Sequence, residues 1–226
     1  QHLEARIQDI LQPPMQLDQE NGLIQAVLLQ HQPDQYELLL LVHHLLTDGW
    51  STPLFMQDLI QAYQHPENEL PRLQYSYQSV IEQLAGRDQQ ADIDVWQRDL
   101  ANAQAMLLFD GYGKQVVQEH SLRLSPEISQ RLQQRLRQCG ITLNVYMQMI
   151  WAMTLQMYAH RDDLIFGTPV SGRTAAIAGL EQQIGLFLNT IPVRVQLNMQ
   201  MSLWPQLAEL QRLHSQHLEH DGIGLS

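Results

Sequence analysis

Apolar positions in this chain fall into short blocks whose spacing changes from one block to the next. Ile24 to Leu29 and Tyr36 to Val42 are apolar stretches of strand length, separated by the polar His31-Gln32-Pro33-Asp34-Gln35. Two such runs with a short polar connection predict a β-hairpin. Leu38-Leu39-Leu40-Leu41-Val42 shows no polar alternation, the pattern of a strand buried on both faces. Asp48-Gly49 then supplies a turn, and Ser51-Thr52-Pro53 opens a helix, proline being tolerated in a first turn. Leu54, Phe55, Leu59, Ile60 and Tyr63 recur at helical spacing, so that helix is expected to reach about Gln64. His65 to Pro71 carries two prolines and reads as a loop. Further helices are predicted over about Tyr75 to Leu84 and Gln89 to Ala103.

Gly111-Tyr112-Gly113 marks a break and an expected lobe boundary. Beyond it, Val116 to Leu124 reads as a strand. Ser125-Pro126-Glu127 is a strong helix start, with a hydroxyl cap and proline at the first helical position, and that helix is expected to end at Gly140. A long apolar helix is predicted over about Thr142 to His160, with the Met147 to Met157 stripe (Met147, Ile150, Trp151, Met153, Thr154, Met157) assigned to the core first and to a substrate tunnel second. Leu164 to Gly167 and Ile191 to Leu197 read as strands, and Ser202 to His220 as a last helix. Strands and helices interleave without strict alternation, and no period of repetition is present. The fold class expected is mixed α/β (α+β) in two lobes, residues 1–113 and 114–226.

Composition narrows the function. The 226 residues are 44% hydrophobic, 16% charged and 7% aromatic, which is globular and not disordered. The 34 glutamines are scattered, never more than two in a row, so no prion-like tract forms. A formal net charge of −11 argues against nucleic acid or an anionic membrane as partner. The single cysteine, Cys139, excludes an internal disulfide and zinc knuckles, and is expected to be packed. No apolar run approaches a membrane span, and the first residues lack a basic stretch followed by an apolar one. A soluble cytoplasmic protein is the expectation.

The sharpest chemical feature is Val42-His43-His44-Leu45-Leu46-Thr47-Asp48-Gly49-Trp50-Ser51. Two histidines leave the end of a strand, where a rigid element fixes a side chain beside a cleft. Neighbours on a strand point opposite ways, so one histidine can face substrate while the other is satisfied inside. Asp48, backed by a glycine, can fold back as a structural carboxylate. Elsewhere, His214, His217 and His220 recur at i, i+3 and i+6, a spacing read as accidental on a solvated helix face, and no metal is assigned. Ser171 lacks the leading glycine of a nucleophile elbow. No phosphate-binding glycine motif is present.

His43-His44-Leu45-Leu46-Thr47-Asp48-Gly49 resembles the HHxxxDG signature of condensation domains of nonribosomal peptide synthetases, relatives of chloramphenicol acetyltransferase. Ile184-Gly185-Leu186-Phe187-Leu188-Asn189-Thr190 with Arg194 is similar to that family's IGxFxNT…R motif, and Gly167 to Arg173 to its GTPVAGR segment. Tyr75-Ser76-Tyr77, Asp88 and Val95-Trp96-Gln97-Arg98 resemble the tyrosine-rich stretch and tryptophan helix between those motifs, and Glu219-His220 its late histidine motif. Family domains are considerably longer, so the resemblance implies a central part of such a domain, with both lobes incomplete.

The resemblance implies a chloramphenicol acetyltransferase-like two-lobed fold and a specific reaction. The amine of an acceptor aminoacyl thioester attacks a donor acyl or peptidyl thioester, forming an amide. Both substrates ride on the 4'-phosphopantetheine of peptidyl carrier domains, with an adenylation domain in the same assembly line and no cofactor held by the domain itself. It implies His44 as the catalytic histidine, His43, Asp48 and Gly49 as its support, Trp50 and Asn189 as tunnel residues, and Arg123 or Arg173 as the cation balancing Asp48. Rival readings are an epimerisation domain, a coenzyme A-dependent acyltransferase and a non-catalytic carrier-docking platform. A heterocyclisation domain would carry aspartates in place of the histidine pair.

Overall fold

The computed structural model describes residues 7, 22–106, 108, 118–173 and 177–223. Contacts divide the chain into two units, one formed by residues 1–85 and 176–188, the other by 86–175 and 189–226. The lobe boundary expected at Gly111 to Gly113 lies outside the described residues.

In the first unit, strands β1 (Ile24–Gln32) and β2 (Gln35–Val42) pair antiparallel from Ile24↔Val42 outward, with an irregularity between Gln30 and Gln32. The turn is fastened by the Tyr36 hydroxyl, which donates to the Pro33 carbonyl at 3.1 Å and accepts from Gln30 Nε2 at 2.9 Å. The hairpin is as expected, but β2 is not buried on both faces: its first four residues are exposed and the rest half-buried. Among the described residues β2 pairs with β1 alone, so its leucine run has a neighbour on one edge only. Helix α1 (Ser51–Gln64) follows, and α2 (Tyr77–Ala85) starts where Ser76 Oγ accepts from the Ser79 N–H. A short 3₁₀ turn, Leu180–Gln182, completes the unit.

The second unit holds α3 (Gln90–Asp99), α4 (Pro126–Gln138), α5 (Leu143–Ala159), β3 (Asp163–Val170), β4 (Asn189–Gln196) and α6 (Leu203–Leu218). Helix α3 stops four residues before its expected end. The Arg194 guanidinium claims the carbonyls of Asp99 (3.1 Å) and Ala101 (2.8 Å), and Asn102 turns left-handed at φ 59°. Val116 and Val117 lie outside the described residues, and 118–124 form no strand. Caps lie where chemistry demands them. Ser125 Oγ accepts from Ile128 N–H at 3.3 Å with Pro126 behind it, and Thr142 Oγ1 accepts from Val145 N–H at 3.2 Å.

The core of this unit forms where α5 and α6 cover the antiparallel β3–β4 pair, with Val145, Ala152, Leu164 and Leu207 inaccessible to solvent. Helix α5 buries Val145, Gln148, Met149, Ala152 and Leu155, not the stripe assigned to the core. Met147, Ile150, Trp151, Met153 and Met157 are exposed. The helix is apolar on nearly every side, so periodicity cannot choose its inner face. Cys139 is exposed at the end of α4, just before Gly140 at φ 68°, so its expected burial is also corrected.

The histidines of α6, and His220 just past its end, do not form a solvated face either. His214 and His217 are buried. His217 Nε2 bonds Asp99 Oδ2 at 2.8 Å beneath the Trp96 ring, His220 Nδ1 bonds Asp92 Oδ1 at 2.8 Å, and His214 Nε2 meets the Asn144 amide. Each is committed to its own partner. Among the described residues no group of three or more metal-ligating side chains gathers, and no helix is long and apolar enough to cross a membrane.

Burial, reinforced by His217, pushes the His214 pKa below its ordinary value. As pH falls through about 6.5, an unfolded His214 takes a proton that the folded one refuses. The stability this burial allows is therefore present above that pH and lost below it. Urea midpoints measured across this range should fall with acid, and His214→Gln should flatten the fall.

Candidate functional site

The β2–α1 loop is built from its own side chains. The His43 N–H donates to the Leu23 carbonyl at 2.8 Å, continuing the hairpin, and the Leu46 N–H returns to the His43 carbonyl at 3.0 Å. His43 Nδ1 accepts from the Leu45 N–H at 3.1 Å, so a neutral His43 ring carries its proton on Nε2. His44 instead is exposed and lines an open cavity of about 680 Å³ in the first unit, beside Asp48, Gly49, Thr52, Phe55 and Ile184. The two histidines thus divide, one toward the loop backbone and one toward the cavity.

Asp48 is 2% exposed. Its Oδ1 accepts from the Ser51 N–H (2.9 Å) and hydroxyl (2.8 Å), and its Oδ2 from the Phe187 N–H (3.0 Å). Ser51 is completely buried, and its hydroxyl oxygen lies 2.8 Å from the Gly185 carbonyl and 3.0 Å from the Gly185 N–H. One hydroxyl hydrogen serves only one acceptor at a time, so Asp48 and the Gly185 carbonyl share it. Asp48 and Ser51 together tie the loop to residues 184–188. Sequence reasoning picked out Asp48 and the 184–190 segment but missed Ser51. The available signal was its place three residues beyond the aspartate at a helix start.

Gly49 borders the cavity, and a side chain there would meet nothing within 4 Å, so the space beside its backbone is open. Trp50 does not line that cavity; its indole N–H donates to the Glu181 carbonyl at 2.9 Å. Asn189 belongs to the second unit, where its amide donates to the carbonyls of Asp221 (2.6 Å) and Ile223 (3.2 Å) and its oxygen accepts from Thr190 N–H. Arg173 is buried in that unit and Arg123 is exposed there. Arg194, the arginine following the 184–190 segment, grips Asp163 with two bonds of 2.7 and 2.8 Å, which hold the Asp163 carboxyl below its usual range.

The family model for the condensation domain matches residues 1–226. The chain belongs to the condensation-domain family. Vanchrobactin synthetase VabF of Vibrio anguillarum is 42% identical over 209 residues, covering 92% of this chain and 7% of that protein. Among solved structures, the first condensation domain of the calcium-dependent antibiotic synthetase, in complex with a substrate analogue, matches with a TM-score of 0.71 at 20% identity, over 99% of this chain and 52% of that one. The epimerization domain from the third module of tyrocidine synthetase B matches with a TM-score of 0.77 at 21% identity, over 98% and 54%. The chain thus spans about half of those solved chains and a small part of the synthetase. Condensation domains of synthetases catalyse amide bond formation, an acyltransferase reaction, and their chloramphenicol acetyltransferase-like fold is the one expected from sequence.

Within this condensation-domain chain, Gly185 is fixed by packing. A Cβ there would collide with the Tyr77 ring and approach Phe187 Cε2 at 3.0 Å, the two rings standing edge-on at 5.3 Å between centroids. Gly185→Ala should cost about 1–3 kcal/mol. In a Tyr77→Ala background the same change should cost clearly less, as a double-mutant cycle by urea unfolding would read.

Proposed function

We propose that this chain supplies the acceptor-activating part of an amide-forming condensation domain, with His44 as its catalytic side chain. The observation that carries the reading is His44 at the rim of an open cavity, on a loop held by buried Asp48 and Ser51. In the proposed reaction the acceptor amine attacks the donor thioester carbonyl. The new C–N bond forms, the C–S bond breaks, and the amine proton leaves for the departing thiolate, with His44 accepting or orienting it.

An α-amine of pKa about 8 is already partly neutral near pH 7, so the demand on His44 as a base is modest. Alignment of two tethered substrates supplies much of the remaining rate. The open space at Gly49 leaves its N–H for the oxyanion of the tetrahedral intermediate. His43 and Asp48 hold the loop. Of the two arginines expected to balance Asp48, Arg173 is buried and Arg123 exposed, both in the second unit. Trp50 holds the backbone of Glu181 in the first unit, and Asn189 holds that of 221–223 in the second. The substrates arrive on phosphopantetheine arms of carrier domains, in a cytoplasmic assembly line with an adenylation domain.

The test is product identity, with the full-length protein given both loaded carriers and the products read by mass spectrometry. An amide joining donor to acceptor is expected. An epimerised thioester, release of coenzyme A from an acyl-coenzyme A, or carrier binding without turnover would each replace this reading with a rival.

A further inference from the structure

Residues 219–223, just past α6, are gripped from two directions inside the second unit. On one side stands α3, whose Asp92, Trp96 and Asp99 recur at i, i+4 and i+7 and so share a face. That face meets the end of α6 in antiparallel order. His220 Nδ1 lies 2.8 Å from Asp92 Oδ1, the Trp96 indole N–H donates to the His220 carbonyl at 2.9 Å, and His217 Nε2 lies 2.8 Å from Asp99 Oδ2. Asp92 is buried, and a Cβ on Gly222 would come within 2.8 Å of its Oδ2, so the backbone of the segment rests against that carboxylate. On the other side the Asn189 amide donates to the carbonyls of Asp221 and Ile223, and Ile223 packs on the cluster of Trp96, Val170 and Ile191.

Among the described residues the chain passes between the two units at 85/86 and 188/189. Both passages are tied to this one segment. Arg87 Nη2 reaches the Glu219 carbonyl at 3.5 Å, and Asn189 is the first residue of the second unit after Leu188. Two residues before Asn189, in the first unit, the Phe187 N–H donates to the Asp48 carboxylate at 3.0 Å. Two residues of chain span at most about 7 Å, so a shift at Asn189 reaches Phe187 with little slack.

We propose that Asp92, Trp96 and His220 are positioning residues for amide formation. They fix 219–223 as a post to which Asn189 is tied, and through Asn189 they set the backbone at Phe187 that holds the Asp48 loop. The reaction they serve rests on the amide-forming reading above; the post rests on the bonds of the second unit alone.

The test loosens the post in the full-length protein and reads both rate and hydrogen exchange. Trp96→Phe removes the bond to the His220 carbonyl and keeps a ring over His217. His220→Ala removes the bond to Asp92, whereas His220→Asn offers an amide nitrogen in place of Nδ1. Trp96→Phe and His220→Ala should each lower kcat for amide formation about tenfold or more, with KM for each loaded carrier unchanged. The Phe187 and Thr190 amides should exchange faster in both variants, while those of β1 and β2 keep their protection. His220→Asn should restore much of the rate and of the protection. Ile141→Val, which takes a methyl from the separate core under α5, should lower the urea midpoint yet leave kcat and Phe187 exchange native. A native kcat, or native exchange at Phe187, in folded Trp96→Phe and His220→Ala would overturn the positioning role. Absence of amide from the native protein would instead overturn the functional reading, and exchange at Phe187 would still decide whether the post holds that backbone.

Discussion

Asp48→Ala is expected to destabilise the protein by about 3–5 kcal/mol, the largest single loss in the first unit. The carboxylate is 2% exposed and accepts from the Ser51 N–H, the Ser51 hydroxyl and the Phe187 N–H. Alanine takes the charged acceptor away from all three donors, and the Ser51 hydroxyl and N–H fall back on the Gly185 and Asp48 carbonyls, at about 1.5–3 kcal/mol for each hydrogen bond to a charged group. Asp48→Asn separates charge from shape. Its amide oxygen can replace Oδ1 or Oδ2 but not both, so one backbone N–H must face an NH₂ group in either orientation. Asparagine should therefore recover part of the loss and not all of it. Urea unfolding gives the size of the effect, and hydrogen exchange gives its place. The Phe187 and Gly185 amides should lose protection in both variants, while those of β3 and β4 keep theirs.

What could be read from sequence follows how local each feature is. The hairpin, the Ser125-Pro126 and Thr142 caps and the start of α1 depend on residues within a few positions of one another, and all form as expected. The opposite directions of His43 and His44 were expected from strand alternation, yet β2 ends at Val42 and it is the turn of the following loop that parts them. Ser51 was not legible, because its hydroxyl acts on Gly185, 134 residues away. Asn189 was expected to face a tunnel, yet its amide is engaged by the backbone at 221 and 223, which no local pattern announces. The exposed Met147 to Met157 stripe and the buried histidines of α6 share one cause. On a helix apolar all round, or one with histidines on an inner face, the neighbours decide which side is buried, and those neighbours come from β3, β4 and α3.

The second large effect falls on His44. Because its side chain is exposed and no hydrogen bond among the described residues passes through it, His44→Ala should leave stability within about 0.5 kcal/mol of the native protein. Its consequence should be confined to rate. Positioned proton transfer is worth about 10²–10⁴-fold, and this histidine is proposed to orient the attacking amine as well as to accept its proton. His43→Ala should behave in the opposite sense. Its Nδ1 holds the Leu45 N–H, so its loss should loosen the loop and lower the urea midpoint before it is felt in the chemistry.

The most direct measurement is a single turnover of amide formation between two pre-loaded carriers, with native protein and His44→Ala at matched folded concentrations. The expected result is a rate constant lower by about 10²–10⁴-fold at an unchanged urea midpoint. A near-native rate from the folded His44→Ala protein would contradict the assignment of His44 and the site built around it.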